Sequence, residues 1–186
     1  MTEYLSANAP INSENDYHKH DRTVKLVDMD EYVKASHGEL LQTIGVSTCT
    51  AVIATYPGTF GYMAHISPHD RIYGGGATNL LGHIIKQIKL YDIYKYERRR
   101  VRFIIVARHL DTLANIVDKL IEEGFLLSQI NVLHHGRARC ANVTYDYSKN
   151  HTCVKWLPVQ PSADTIIQKA GDINKLENIV RQYVDE

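Results

Sequence analysis

TIGVSTCTAVIATYPGTFGYMAHISP, Thr43 to Pro68, is the stretch on which the fold turns. CTAVIATY (Cys49–Tyr56) is an unbroken apolar run rich in β-branched residues. It reads as a buried strand, or as a buried helical turn leading into one. PGTFG follows and is a turn, because Pro and Gly supply the backbone angles a reversal needs. YMAHIS then reads as the returning strand. A hairpin of this kind sets its first and last residues side by side. Cys49 opens the first strand and His65 ends the second, so spacing brings a thiol and an imidazole together. Thr43 lies on the strand before, where its hydroxyl or carbonyl can hold the other ring nitrogen of His65.

A cysteine attacks as thiolate, which calls for a depressed pKa from an adjacent imidazole or a helix N-terminus. The small residues of GVSTC, with Ser47 and Thr48 before Cys49, allow a tight backbone whose N–H groups face a developing oxyanion. Cys49, His65 and Thr43 therefore form a candidate nucleophile, base and orienting group. The plainer alternative is a cysteine acting as a small core hydrophobe beside a buried histidine.

Outward from the hairpin, TVKLVDMDEYVKA (23–35) begins like a strand and GELLQTIGV (38–46) reads as another. Leu80, Leu81, Ile84, Ile85, Ile88 and Tyr91 recur at helical spacing, with Thr78 or Asn79 as the cap. VRFIIVARHL (101–110) is a strand. DTLANIVDKLIEEG (111–124) is a helix capped by Asp111 or Thr112 and ended by Gly124. INVLHHGRARCANVTYDYSKNHTCVKWL (130–157) holds two or three strands, with YSKNH as a hairpin turn. Strands outnumber helices and the helices fall between them, which defines a mixed α/β (α+β) layered fold with one core. Residues 1–22 read as a flexible arm, 23–158 as the domain, and 159–186 as a helical extension packed on it through Ile166, Ile167, Leu176, Ile179, Val180 and Tyr183.

The chain has 186 residues and balanced charge, with 21 basic and 21 acidic side chains. Nothing in that balance calls for nucleic acid, whose binding is driven by excess positive charge. The basic run YERRRVR (96–102) reads as a solvated edge. No apolar run suggests membrane insertion or a cleavable signal. Cys49, Cys140 and Cys153 are an odd set without metal spacing, which points to reduced thiols in a cytoplasmic setting, or export into a host cytosol without a cleaved signal. Cys140 and Cys153 face one another across the last hairpin in this reading. Adjacent His134 and His135 point to opposite faces of a strand, which argues against a shared metal.

TIGVSTCTAV and GYMAHISP together resemble the signature of the CheD family, the chemoreceptor glutamine deamidases. The resemblance extends more weakly through HGR (135–137) and covers roughly residues 35–157. It implies a layered α/β/β/α sandwich and a protein-glutamine glutaminase reaction. In that reaction Cys49, His65 and Thr43 are the catalytic group, without metal or organic cofactor, and the partner is a protein bearing a reactive glutamine. The core is also similar to that of the cytotoxic necrotising factor toxins, so a divergent effector fits as well. The sequence departs from the family at Tyr62, where a glycine is usual, and at IIVARHL. Tyr62 and His69 are candidate substrate contacts. The alternative function is a protein-binding module on the same scaffold without turnover.

Overall fold

The computed structural model describes residues 2–6, 23–67, 79–91, 97–135 and 139–158. The described residues form a mixed α+β domain of two five-stranded sheets and two α-helices. The central sheet is built around the predicted hairpin. Its strands are β3 (Glu31–Lys34), β5 (Thr50–Tyr56), β6 (Phe60–Ile66), β7 (Arg102–Ala107) and β8 (Ile130–His134), in the order β3-β6-β5-β7-β8. The front sheet holds β1 (Thr2–Ser6), β2 (Thr23–Leu26), β4 (Glu39–Val46), β9 (Arg139–Asp146) and β10 (His151–Pro158), in the order β1-β10-β9-β4-β2. Helices α1 (Leu80–Leu90) and α2 (Leu110–Glu122) cover the far face of the central sheet.

The apolar run at 49–56 follows from this layering. Every residue of β5 and β6 is buried, because one face packs on the helices and the other on the front sheet. Val52, Ala54, Phe60 and Tyr62 meet Leu81, Ile84, Ile88, Ile116 and Leu120 on the helix side. Ala51, Ile53 and Met63 meet Leu41, Val46, Val143, Tyr145 and Val154 between the sheets. A sheet covered on both faces cannot alternate apolar and polar residues. Gly61 leaves room for the front sheet: a Cβ there would lie 2.4 Å from the Tyr145 ring.

Three expectations need correction. The segment 2–6, read as part of a flexible arm, forms β1 and pairs antiparallel with β10. Helix α2 begins at Leu110, with His109 in the cap position and no side-chain cap. Asp111 and Thr112 therefore lie in the first turn, where Asp111 still complements the positive end of the helix dipole. Gly124, at φ 90°, ends the helix as expected. Cys140 pairs with Leu157 and Cys153 with Thr144, four residues further along, so the two thiols do not face one another. None of the three cysteines forms a disulfide.

Asn79 caps α1 by accepting from the Gly82 amide at 2.8 Å. Both described helices lie on one side. The helical extension expected at 159–186, and with it the second helical layer, falls outside the described residues, as do His69, Gly136, Arg137 and the arm from 7 to 22. No helix among the described residues is long and apolar enough to cross a membrane.

Candidate active site

Thr43 is aimed into the space between the sheets by a β-bulge. It pairs with Val143, but Val46 pairs with Ala141, so Ile44 and Gly45 together oppose the single residue Asn142. Gly45 takes φ 71°, a left-handed angle that a side chain strains, and its amide donates to the Asn142 Oδ1 at 3.0 Å. The extra residue sends Ile44 to solvent and lets both Thr43 and Val46 point inward.

On the central sheet, His65 stands opposite Ala51 on the face turned towards the front sheet. Its ring reaches across the gap, where Nδ1 lies 2.7 Å from the Thr43 hydroxyl. That hydroxyl also lies 2.8 Å from the Val27 carbonyl oxygen, which can only accept. A hydroxyl carries one proton, so Thr43 donates to Val27 and accepts from Nδ1–H. The neutral imidazole is thereby fixed with its lone pair on Nε2. His65 is only 6% exposed, and Nε2 has no hydrogen-bond partner. A buried polar atom left open in this way costs stability and calls for a reason.

Cys49 lies in the bend just before β5, one step beyond the ladder and diagonal to His65. Its Sγ touches the Met29 Sδ at 3.8 Å and is not hydrogen-bonded to Nε2. Burial pushes the Cys49 thiol up, opposed by a hydrogen bond from the Thr48 side chain and reinforced by the Asp30 charge. Burial likewise pulls His65 down, opposed by Asp30 and Asp28. This departs from the depressed thiol pKa that the sequence suggested. Burial thus shifts both groups towards their neutral forms, because a low-dielectric setting disfavours both charges.

Val27, Asp28, Met29 and Asp30 form a strap between β2 in one sheet and β3 in the other, and sequence reasoning missed it. Met29 bridges to His65, the Asp30 amide donates to the His65 carbonyl at 2.7 Å, and the Asp30 carboxylate accepts from the Ser67 amide at 3.0 Å. Asp30 has φ 62°, which Asp tolerates better than most residues. That tolerance is the one signal in VDMD that marks a turn.

The remaining candidates fall elsewhere. Tyr62 points to the opposite face of β6 from His65, into the helix-side core, where its hydroxyl lies 3.5 Å from that of Tyr91. Strand alternation therefore removes it from the site as a substrate contact. Ser47 and Thr48 share the bend with Cys49. The His134 ring is 2.8 Å from the Arg108 carbonyl, whereas His135 packs on Trp156 with ring centroids 5.3 Å apart.

No family model and no curated protein matches the chain. Among solved structures it is similar to the hypothetical protein YfiH of Bacillus licheniformis, with 12% identity and a TM-score of 0.42 over 69% of this chain and 61% of that one. It is also similar to YlmD from Geobacillus stearothermophilus, with 13% identity and a TM-score of 0.41 over 70% of this chain and 61% of that one. The chain thus spans less than two thirds of the length of either. Likeness at this level carries no argument about the site.

Proposed function

We propose that the protein is a cysteine-dependent amide hydrolase that deamidates glutamine side chains of a protein substrate. One observation carries this reading: the His65 Nε2, buried and open, with its lone pair fixed by the Thr43–Val27 relay, beside a thiol on the same side of the sheet. The motif resemblance to the chemoreceptor deamidases supports the choice of glutamine and leaves a chemotaxis or effector role as alternatives. A reducing, cytosolic setting suits the site, since a disulfide at Cys49 would block it.

Nε2 takes the Sγ–H proton of Cys49 as sulfur attacks the amide carbon, so transfer and attack proceed together from the neutral pair. The tetrahedral oxyanion is received by backbone N–H groups of the Ser47–Cys49 bend. His65, now imidazolium, is stabilised by Asp30 and Asp28 and returns its proton to the departing nitrogen, which leaves as ammonia. Water, deprotonated by the same Nε2, then cleaves the thioester to give glutamate and the free thiol. Thr43 holds the ring throughout and needs no proton of its own.

The test is ammonia release together with intact-mass analysis of candidate substrate proteins. Cys49→Ala should abolish turnover, and His65→Ala should lose about 10²–10⁴-fold. Thr43→Ala should lose less, and the combined losses should not add, because the three act as a unit. Near-full activity of Cys49→Ala on a verified substrate rejects the mechanism. Binding without turnover is favoured by one feature, the 8% exposure of a thiol pushed up by burial. If that reading holds, Cys49 resists alkylation in the folded protein at every pH.

A further inference from the structure

The strap beside the thiol has features beyond the stabilisation that Asp28 and Asp30 give the imidazolium. Met29 is 59% exposed, yet its thioether rests on the buried Cys49 sulfur. Asp28 and Asp30 flank it and are both exposed, and Glu31, also exposed, stands opposite His65 on the edge strand β3. The open Nε2 of His65 belongs to the residue paired with Glu31 across the ladder. A group arriving at sulfur from this side meets a flexible, uncharged side chain with a carboxylate on each side of it in sequence.

We propose that the Asp28–Glu31 strap is a charge-and-shape filter, admitting a slender uncharged side chain presented by a basic segment and turning away acidic ones. Deamidation as the reaction rests on the reading above; the filter does not. A glutamine side chain has the required shape, being unbranched and neutral, and a thioether yields to such a stem at little cost because Met adopts many rotamers. Lysine or arginine neighbours in the substrate would lie against Asp28, Asp30 and Glu31. These charges are exposed, so they act mainly on encounter and are screened by salt.

The test compares alkylation of Cys49 by neutral iodoacetamide and anionic iodoacetate in the full chain, located by peptide mapping. The amide-to-acetate rate ratio of the folded protein should exceed that of the urea-unfolded chain by about threefold or more, from surface Coulomb repulsion. It should fall back in about 1 M salt, where the screening length is about 3 Å. Asp28→Asn with Asp30→Asn should lower it likewise. Asp28→Asn alone should do so in part, which keeps the test sound if the Asp30 change disturbs the bonds to His65 and Ser67. Met29→Ala should raise both rates and leave their ratio alone. A folded-state ratio equal to the unfolded one overturns the filter. So does a Cys49 that reacts with neither probe even in Met29→Ala.

Glutamine peptides with lysine or glutamate neighbours separate the two proposals. Faster ammonia release from the lysine-flanked peptide supports both. Equal release from the two peptides sinks the filter and leaves deamidation standing. No release from either, with the probe ratio as expected, sinks deamidation and leaves the filter standing.

Discussion

Two polar clusters lie in the same layer between the sheets, at opposite ends of β5, and they are built on opposite principles. At the far end the Thr55 hydroxyl donates to the Asn150 Oδ1 at 2.5 Å and lies 2.8 Å from the Tyr145 hydroxyl, which is itself 3.1 Å from the same Oδ1. The three groups satisfy one another, and Asn150 takes φ 47° to complete the set. Burial pushes the Tyr145 hydroxyl up to about 12, so it stays a neutral phenol. At the near end Val27, Thr43 and His65 form a similar chain, but it stops at Nε2. Closed clusters of this kind fasten sheets together; a chain ending in an open lone pair beside a thiol holds a base in reserve. Under the proposed hydrolase reading, the near end gives up some stability for reactivity.

The largest expected loss of stability is at the closed end. Tyr145→Ala removes a fully buried ring packed on Gly61 and leaves the Thr55–Asn150 pair partly unpartnered. It should cost about 3–5 kcal/mol of unfolding free energy, measured in guanidinium, because cavity and transfer costs add. Thiol chemistry at Cys49 should survive in the fraction that remains folded. A cost under about 1 kcal/mol means that the far cluster does not fasten the sheets.

At the open end the expected loss is smaller in stability and larger in chemistry. Thr43→Val keeps the shape but leaves the Val27 carbonyl and Nδ1–H without their partner. That should cost about 1–3 kcal/mol, the range for a buried polar group left unmade. The imidazole is then free to turn or change tautomer, so the alkylation rate of Cys49 should fall with it. A Thr43→Val protein that loses stability but keeps the thiol's full reactivity shows that Thr43 is a fastener like Thr55 and not an orienting group.

The two ends also differ in how they could be read from sequence. The β5–β6 hairpin was legible because a sheet covered on both faces demands an uninterrupted apolar run, and PGTFG closes it. Register puts Cys49 and His65 on one side of the sheet, but Cys49 lies one step beyond the ladder and its sulfur is not bonded to Nε2. The Gly of GYMAH was legible as part of a motif, but its reason was not: it makes room for Tyr145, far along the sequence on β9. The strap escaped because its work is done by a backbone carbonyl at Val27, a left-handed Asp30 and a thioether, none of which leaves a periodic pattern. Closeness in sequence does not bring Tyr62 to the site, since strand alternation turns it, three residues before His65, onto the other face. The direction of the thiol shift was illegible as well, because it depends on how deeply the front sheet buries Cys49.

The smallest effect concerns acid. Burial lowers the pKa of His65 at the open end and of His151 at the start of β10. For each, the unfolded chain binds a proton more readily than the folded one. Their contribution to stability is therefore complete above the ordinary imidazole value of about 6.5. It declines as pH falls through that value and levels off below the lowered folded-state pKa. Glu39 and Glu123 are held below the usual carboxylate range, Glu39 chiefly by a hydrogen bond from Lys25 and Glu123 chiefly by one from Lys89. Their contribution begins to decline only near the ordinary carboxylate value of about 4.3, well to the acid side of the histidine onset. His65→Gln should flatten part of the decline in melting temperature between about pH 7 and pH 5, while leaving the more acid part unchanged. At the acid end of that window, where Nε2 of the folded protein takes up its proton, the alkylation rate of wild-type Cys49 should fall further, whereas a solvent-exposed thiol control follows thiolate concentration alone. If His65→Gln leaves both curves as they were, the open nitrogen is not the group that titrates, and the contrast between the two ends reduces to packing.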